Sequence, residues 1–440
     1  MHRLIYYYFI LSLLFIFLIL GFFTHKYKFK YIYTFIEDYI IYFENYFDIN
    51  LENKLMEIDS PSTIVDLNNQ NFKLNNKPKK NFDYALLLKL DHSNFRLMKN
   101  PNTAIWNWNL GYFRRPETIM PLKLFPNGDV IVARINNKGI YRINKHGKIL
   151  WKKNYYFHHW TTDDSTNIFI PSRQFKTISK IKNEEIKSLF NKRCSNETII
   201  FDTILVMNKI DGAFVKEISL LDSIYQSKEY TQKFIQLFEK NFKCENILHL
   251  NDVVVLDKKQ ANYFPYGKEG DLLLSFRQIN SIALLDINSN KIKWEFSKNI
   301  YRQHSPRVSD NGTVLIFDNM YKRDNNDNEY VSRILEIDIK TEDFVGQFDN
   351  FRENFYSQNR GRIQIIDNRL FVQSSSQGEI FEIYCKTKYL SSDCNVKYIF
   401  SAIYSDFYDH EVYNIFNEKN DQMYLGDLYK KSSLVFLDEE

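Results

Sequence analysis

From residue 84 onward the chain repeats one unit: a Gly, Asn or Asp turn, a short apolar strand, a break, a second strand ending in Asp or Asn, and a turn into Lys-x-Trp or its equivalent. Asn127-Gly128-Asp129-Val130-Ile131-Val132 leads to Gly139-Ile140-Tyr141-Arg142-Ile143-Asn144 and then to Gly147-Lys148-Ile149-Leu150-Trp151. Gly270-Asp271-Leu272-Leu273-Leu274-Ser275 leads to Ser281-Ile282-Ala283-Leu284-Leu285-Asp286 and Lys291-Ile292-Lys293-Trp294. Similar units start at Asn167, Asn311 and Asn368, and a weaker one runs from Ala85 to Trp108. Short strands punctuated by turns, repeating at intervals of tens of residues, are the pattern of propeller blades. The expectation is an all-β chain forming a β-propeller of roughly six blades. Five or seven are the neighbouring counts, because propellers commonly close with strands from both chain ends. Two stretches interrupt the repeat, Ile178 to Arg193 and Leu221 to Phe242. In the second, Ile224, Phe234, Leu237 and Phe238 fall at amphipathic helical spacing, so both are expected to be short helical insertions.

Ahead of the repeats the chain reads differently. Leu4 to Phe23 is an uncharged apolar run of 20 residues, long enough to cross a hydrocarbon core as a helix. Bulky and charged residues follow it at Gly21-Phe22-Phe23-Thr24-His25-Lys26, where a leader peptidase would want small ones, so an uncleaved signal anchor is expected over residues 1–30. Residues 31–83 read as a helical and loop linker: aromatic residues and acids alternate to about Phe47, and Asp59 to Lys80 is rich in Asn, Ser, Pro and Lys. The propeller occupies residues 84–440, a length that all-β architectures fill without dividing.

The formal net charge of +4 is spread over a chain rich in Lys and Asn throughout, which argues against a nucleic-acid partner. Cys194, Cys244, Cys385 and Cys394 contain no CxxC pair and no His at zinc-finger spacing, so no metal is expected. In an oxidising compartment the natural pairs are Cys385 with Cys394 and Cys194 with Cys244; the competing reading is four buried thiols.

Nine histidines are present. His2 and His25 flank the apolar run, and His92, His146 and His410 lie among polar residues. The others stand just before turn-strand signals: His158-His159-Trp160 before Asn167, His249-Leu250-Asn251-Asp252 before Gly270, and Gln303-His304-Ser305-Pro306 before Asn311. The innermost strand of a blade lines the central channel, so equivalent positions in successive blades converge on one mouth. Arg277, after Leu272-Leu273-Leu274-Ser275-Phe276, reaches the same place from the second strand of the His249 blade. Imidazoles beside a guanidinium form an anion site with its own nucleophile and proton carriers. The competing reading is a set of channel histidines bonded to backbone carbonyls.

Taken in order, His158-His159, His249-Leu250-Asn251-Asp252-Val253, Gly270-Asp271-Leu272-Leu273-Leu274-Ser275-Phe276-Arg277, Gln303-His304 and Asn311-Gly312 with Phe317-Asp318-Asn319 resemble the bacterial arylsulfate sulfotransferase family, from roughly Trp106 to Tyr384. The resemblance implies a six-bladed propeller that moves a sulfuryl group from an aryl sulfate donor to a phenolic acceptor, independently of the nucleotide donor PAPS. It implies His304 as the nucleophile, passing through a sulfohistidine. It implies Arg277, with Asn251, as the clamp on the sulfuryl oxygens and His249 or His159 as proton carrier, with His158 beside the substrate. No cofactor is required. The family's His-His-Asp reads His158-His159-Trp160 here, and its Trp-x-His-x-Asn reads Ile247-Leu248-His249-Leu250-Asn251. Pro306 replaces a small residue, and Lys258 to Glu269 is a longer loop. These departures bear on substrate choice.

The resemblance also implies a periplasmic catalytic domain, held to the inner membrane by one span. Arg3 before the span and Lys26, Lys28 and Lys30 after it point the other way; the cysteines and the family favour the outside. Two rival functions are a membrane-anchored propeller that binds without turnover and a quinoprotein-like propeller. Gly147-Lys148-Ile149-Leu150-Trp151 and Lys291-Ile292-Lys293-Trp294 suit the second, but nothing supplies calcium carboxylates or a vicinal disulfide.

Overall fold

The computed structural model describes residues 84–89, 94–100, 103–110, 119–134, 138–194, 198–241, 244, 246–322, 330–349, 355–357, 360–374, 379–391, 394–401 and 425–435. The expected membrane span and linker, residues 1–83, lie outside them. Among the described residues no helix is long and apolar enough to cross a membrane.

The described strands form six four-stranded antiparallel sheets of a β-propeller. Sheet 1 combines Tyr84–Lys89, Asn94–Asn100 and Thr103–Asn109 with the C-terminal strand Leu425–Lys430, which takes its first position, so both ends of the repeat region meet in one sheet. The first strands of sheets 2 to 6 are Ile119–Leu124, Thr162–Asp163, Leu250–Val255, His304–Val308 and Gly361–Ile366. Side chains tie each first strand to the next. Lys123 pairs with Asp163 at 2.7 Å, the Val255 amide donates to Thr162 Oγ1 at 3.4 Å, and Arg307 pairs with Asp252 at 3.2 Å. The Ile363 amide donates to Ser305 Oγ at 2.9 Å and the Leu428 amide to Gln364 Oε1 at 2.9 Å. The Leu124 amide donates to Tyr429 Oη at 3.0 Å, returning from sheet 1 to sheet 2.

The turn signals mark a different place from the one their spacing suggests. Asn127-Gly128, Gly270, Asn311-Gly312 and Asp367-Asn368 each join the first strand of a sheet to its second, so each sheet begins one strand earlier than its turn. Gly128, Gly270 and Gly312 have φ between 78° and 88°, a conformation in which a Cβ is costly. The residues before the turn are therefore the first strands; His304 begins one of them, His249 immediately precedes Leu250–Val255, and His158 and His159 stand just before Thr162–Asp163.

Both interruptions of the repeat are helical. Glu184–Arg193 is capped by Asn183, whose side chain accepts from the Ile186 amide, and carries Glu184 and Glu185 in its first turn with Lys192 and Arg193 in its last, as the helix dipole favours. Leu220–Gln226 and Lys228–Lys240 follow the next strand pair. Their apolar faces, with Ile186, Phe190, Leu220, Phe234 and Phe238 buried, join the core of sheets 3 and 4. Phe234 lies edge-on to Phe276 at 6.0 Å, beside Arg277, and burying a side chain of that size contributes about 1.5–3 kcal/mol. Both expected disulfides are formed, with Cα atoms 5.5 Å apart for Cys194–Cys244 and 4.3 Å for Cys385–Cys394. The first fastens the end of Glu184–Arg193 to the segment that leads to His249.

Candidate active site

His304 begins the first strand of sheet 5, opposite Phe317 on the second. The register slips between His304 and Arg307, and Arg302 and Ser305 hold φ of 50° and 54°. A bulge of this kind re-aims a side chain. Gly361 of sheet 6 makes room behind it: a Cβ there would stand 2.1 Å from the Phe317 ring.

The buried His304 ring is oriented through one nitrogen. Its Nδ1 lies 2.6 Å from Asn319 Oδ1 and 3.0 Å from the Arg302 carbonyl. Asn319 is itself fixed, since its Nδ2 donates to the Ser357 carbonyl at 2.7 Å and Ser332 Oγ donates to its carbonyl at 3.0 Å. With two oxygens facing Nδ1, the proton belongs on Nδ1 and the lone pair on Nε2. Burial, then the Arg277 charge, pull the imidazole pKa down to about 3, against the hydrogen bonds to Asn319 and Arg302. A neutral imidazole with a defined lone pair is a nucleophile in its reactive form.

His249 and His159 stand just before the first strands of two further sheets, Leu250–Val255 and Thr162–Asp163. Both have left-handed backbones, with φ of 53° and 68°. The His249 amide donates to Asp202 Oδ2 at 2.9 Å, and its carbonyl accepts from the Arg277 amide at 3.1 Å. Asn246 Nδ2 bonds its Nδ1, and its Nε2 stands 3.0 Å from His159 Nε2. Ring centroids are 4.0 Å apart for His158–His159, 4.8 Å for His158–His249, 5.1 Å for His159–His249 and 5.9 Å for His159–His304. Burial, followed by neighbouring positive groups, holds the pKa of His158 and His159 well below the usual value. Arg277 lies close enough for its charge to act on both His158 and His304. Burial first, then the charge of Arg302, bring its own pKa down to about 10, so it is still cationic near neutrality.

The structure thus brings together His158, His159, His249, His304 and Arg277. Asn251 is fully buried, and its Nδ2 donates to the Gln303 carbonyl at 2.6 Å, bracing the peptide before His304. Sequence reasoning left Arg173 and Asp202 unnoticed. They are cross-strand partners in sheet 3, with Arg173 bonded to His158 Nε2 and its Nε 3.9 Å from Asp202 Oδ1. Burial, opposed by Arg173 and by three backbone amides, raises the Asp202 carboxyl to about 6. No local signal marks either residue, because each matters only through register. Asn319 stood inside the quoted Phe-Asp-Asn motif, but its role needed the bulge geometry. Trp160, at the position where an acid was expected, holds the Arg362 guanidinium over its ring at 3.7 Å.

The nitrogens of His158, His159 and His249 lie within 4.8 Å of one another, close enough to hold a metal ion. Sequence spacing carried no sign of this, since His249 stands 90 residues beyond His159.

A family model described as arylsulfotransferase (ASST) matches residues 152–389, more than half of the chain and all of the histidine sites. The chain belongs to the arylsulfotransferase family. Membership supports a sulfotransferase enzyme at the level of the family, with aryl sulfates and phenols as its small-molecule substrates. No curated protein matches this arylsulfotransferase. Among solved structures, it is similar to a Bacteroides caccae protein of unknown function, at 12% identity and TM-score 0.42 over 69% of this chain and 90% of that one. It is also similar to a streptogramin B lyase, at 11% identity and TM-score 0.41 over 76% and 88%. The virginiamycin B lyase of Staphylococcus aureus gives 11% and 0.39 over 74% and 88%. These likenesses are too loose to say anything about the chemistry of the site.

Replacing Asn319 with Ala should slow sulfotransfer by about 10²-fold. That is below the roughly 10⁴-fold cost of losing a charged orienting carboxylate, because Asn is neutral and the Arg302 carbonyl still faces Nδ1. Single-turnover kinetics would measure the rate, and nitrogen chemical shifts of His304 would show whether the tautomer has changed.

Proposed function

We propose that this arylsulfotransferase carries a sulfuryl group from an aryl sulfate ester to a phenol, without a nucleotide donor, on His304 as a sulfohistidine. The observation that carries this reading is the His304 ring, buried and neutral, with Nδ1 against Asn319 Oδ1 and Nε2 left as the lone pair. Sulfuryl transfer, like phosphoryl transfer, is a loose in-line displacement in which positioning and charge supply most of the catalysis. Nε2 attacks sulfur, the nitrogen–sulfur bond forms, and the ester oxygen leaves with its electron pair. Arg277 meets the sulfuryl oxygens; its planar fork suits two at once. The departing phenolate takes a proton at the His159–His249 pair, and the acceptor phenol returns one there in the second half, so protons balance over the cycle. An arriving anion raises the proton affinity of imidazoles that are neutral in the empty site. Asn251 acts by holding the Gln303 peptide.

The six sheets are read as the six blades of the propeller. The N-terminal run anchors the chain in the inner membrane with the propeller on the periplasmic side, where two disulfides persist. Intact mass spectrometry after mixing with an aryl sulfate alone should show one sulfuryl adduct, discharged on adding a phenol, with ping-pong kinetics. A protein that turns over yet never carries an adduct would rule out the histidine carrier.

A further inference from the structure

We propose that His158, His159 and His249 are a transition-metal site that takes one zinc or similar divalent ion, and that an ion held there blocks the proton-transfer pair beside His304. The blocking rests on the sulfotransfer reading; the binding does not. His158 and His159 lie outside any strand, where a left-handed φ of 68° at His159 turns the backbone, and the two rings, 4.0 Å apart between centroids, both lie against His249. His249, itself left-handed, brings Nε2 to 3.0 Å from His159 Nε2. On a tetrahedral ion with zinc–nitrogen bonds of about 2.0–2.1 Å, neighbouring nitrogens stand roughly 3.3 Å apart, so this pair needs to open by only a few tenths of an ångström. Three imidazoles without a carboxylate or thiolate select zinc, nickel or copper(II) over magnesium or calcium. They leave a fourth position for water or an anion.

Arg173 opposes the ion in two ways. Its guanidinium is bonded to His158 Nε2, and its charge, like that of Arg277, repels a cation. Asp202, 3.9 Å from Arg173 Nε, offsets part of that charge. Metal entry therefore requires Arg173 to release His158, and Arg173 sets the affinity.

The test uses the full, untagged chain in detergent, stripped with a chelator and titrated with zinc chloride against a chromophoric competitor. Expected are one zinc per chain, affinity weaker by roughly tenfold or more in His158→Ala and in His249→Ala, and tighter binding in Arg173→Gln. A misfolded variant would not gain affinity, so the last change separates the site from general damage. Sulfotransfer should fall over the same zinc range and return with EDTA. No saturable zinc, or an affinity unchanged in both histidine variants, would overturn the site. A chain that binds zinc but never transfers sulfate would leave the site standing and remove the proposed function. A chain that binds zinc as expected but transfers the sulfuryl group indifferently to it would remove the blocking alone.

Discussion

His304→Ala is expected to lower kcat for sulfotransfer by about 10⁴-fold or more, the scale on which removing a covalent nucleophile acts, and to abolish the sulfuryl adduct. Because His304 is buried and bonded to Asn319, alanine also leaves a cavity and an unpaired amide oxygen, so loss of activity alone would be ambiguous. His304→Asn removes the ambiguity: its side-chain NH₂ takes the place of Nδ1–H toward Asn319, while nothing stands where Nε2 was. A folded His304→Asn protein with no adduct would assign the nucleophile, and one that still forms the adduct would exclude His304. The pH dependence adds a second check. A free histidine loses half its neutral form near pH 6.5, whereas a pKa near 3 keeps His304 neutral far below that. Adduct formation from a saturating aryl sulfate should therefore stay level as pH falls from 8 to about 5. Linkage has the same sign: the folded pKa is depressed, so the unfolded chain takes up the proton first. The stability His304 contributes is complete above pH 6.5 and is lost as pH falls toward 3.

Arg277→Ala should lower kcat/KM for the aryl sulfate by about 10²–10³-fold, the cost of removing one preorganised group from a developing oxyanion. Arg277→Lys should recover little of it, because a point charge replaces a planar fork that meets two oxygens. The Arg277 charge depresses the His304 pKa, so its removal also moves that pKa upward. The acid limb of adduct formation should then appear at higher pH than in the parent enzyme. Kinetics in which Arg277→Ala raises neither KM nor the barrier would take the clamp role away from it.

The sites were legible in the chain because each stands before a turn that can be read locally. Asn311-Gly312 and Gly270 announce the first hairpins of two sheets, and the strand before each hairpin faces the channel. Arg277 was legible for the same reason, at the end of the second strand of the His249 sheet. Hidden from the sequence was everything carried by register or by left-handed backbone. Arg173 and Asp202 pair across two strands separated by a helix-bearing insertion, and the backbone beside His158 turns at His159 through a left-handed φ.

Read alone, the sequence determined the repeat, the all-β class and the order of the histidine sites, since alternation, turn chemistry and spacing are local properties of the chain. The tertiary structure decided which nitrogen of His304 carries the proton and that Asn251 braces a peptide. It also decided that His249 meets His158 and His159 at one point. These depend on contacts between residues far apart in the chain, fixed only when the sheets pack around a common channel.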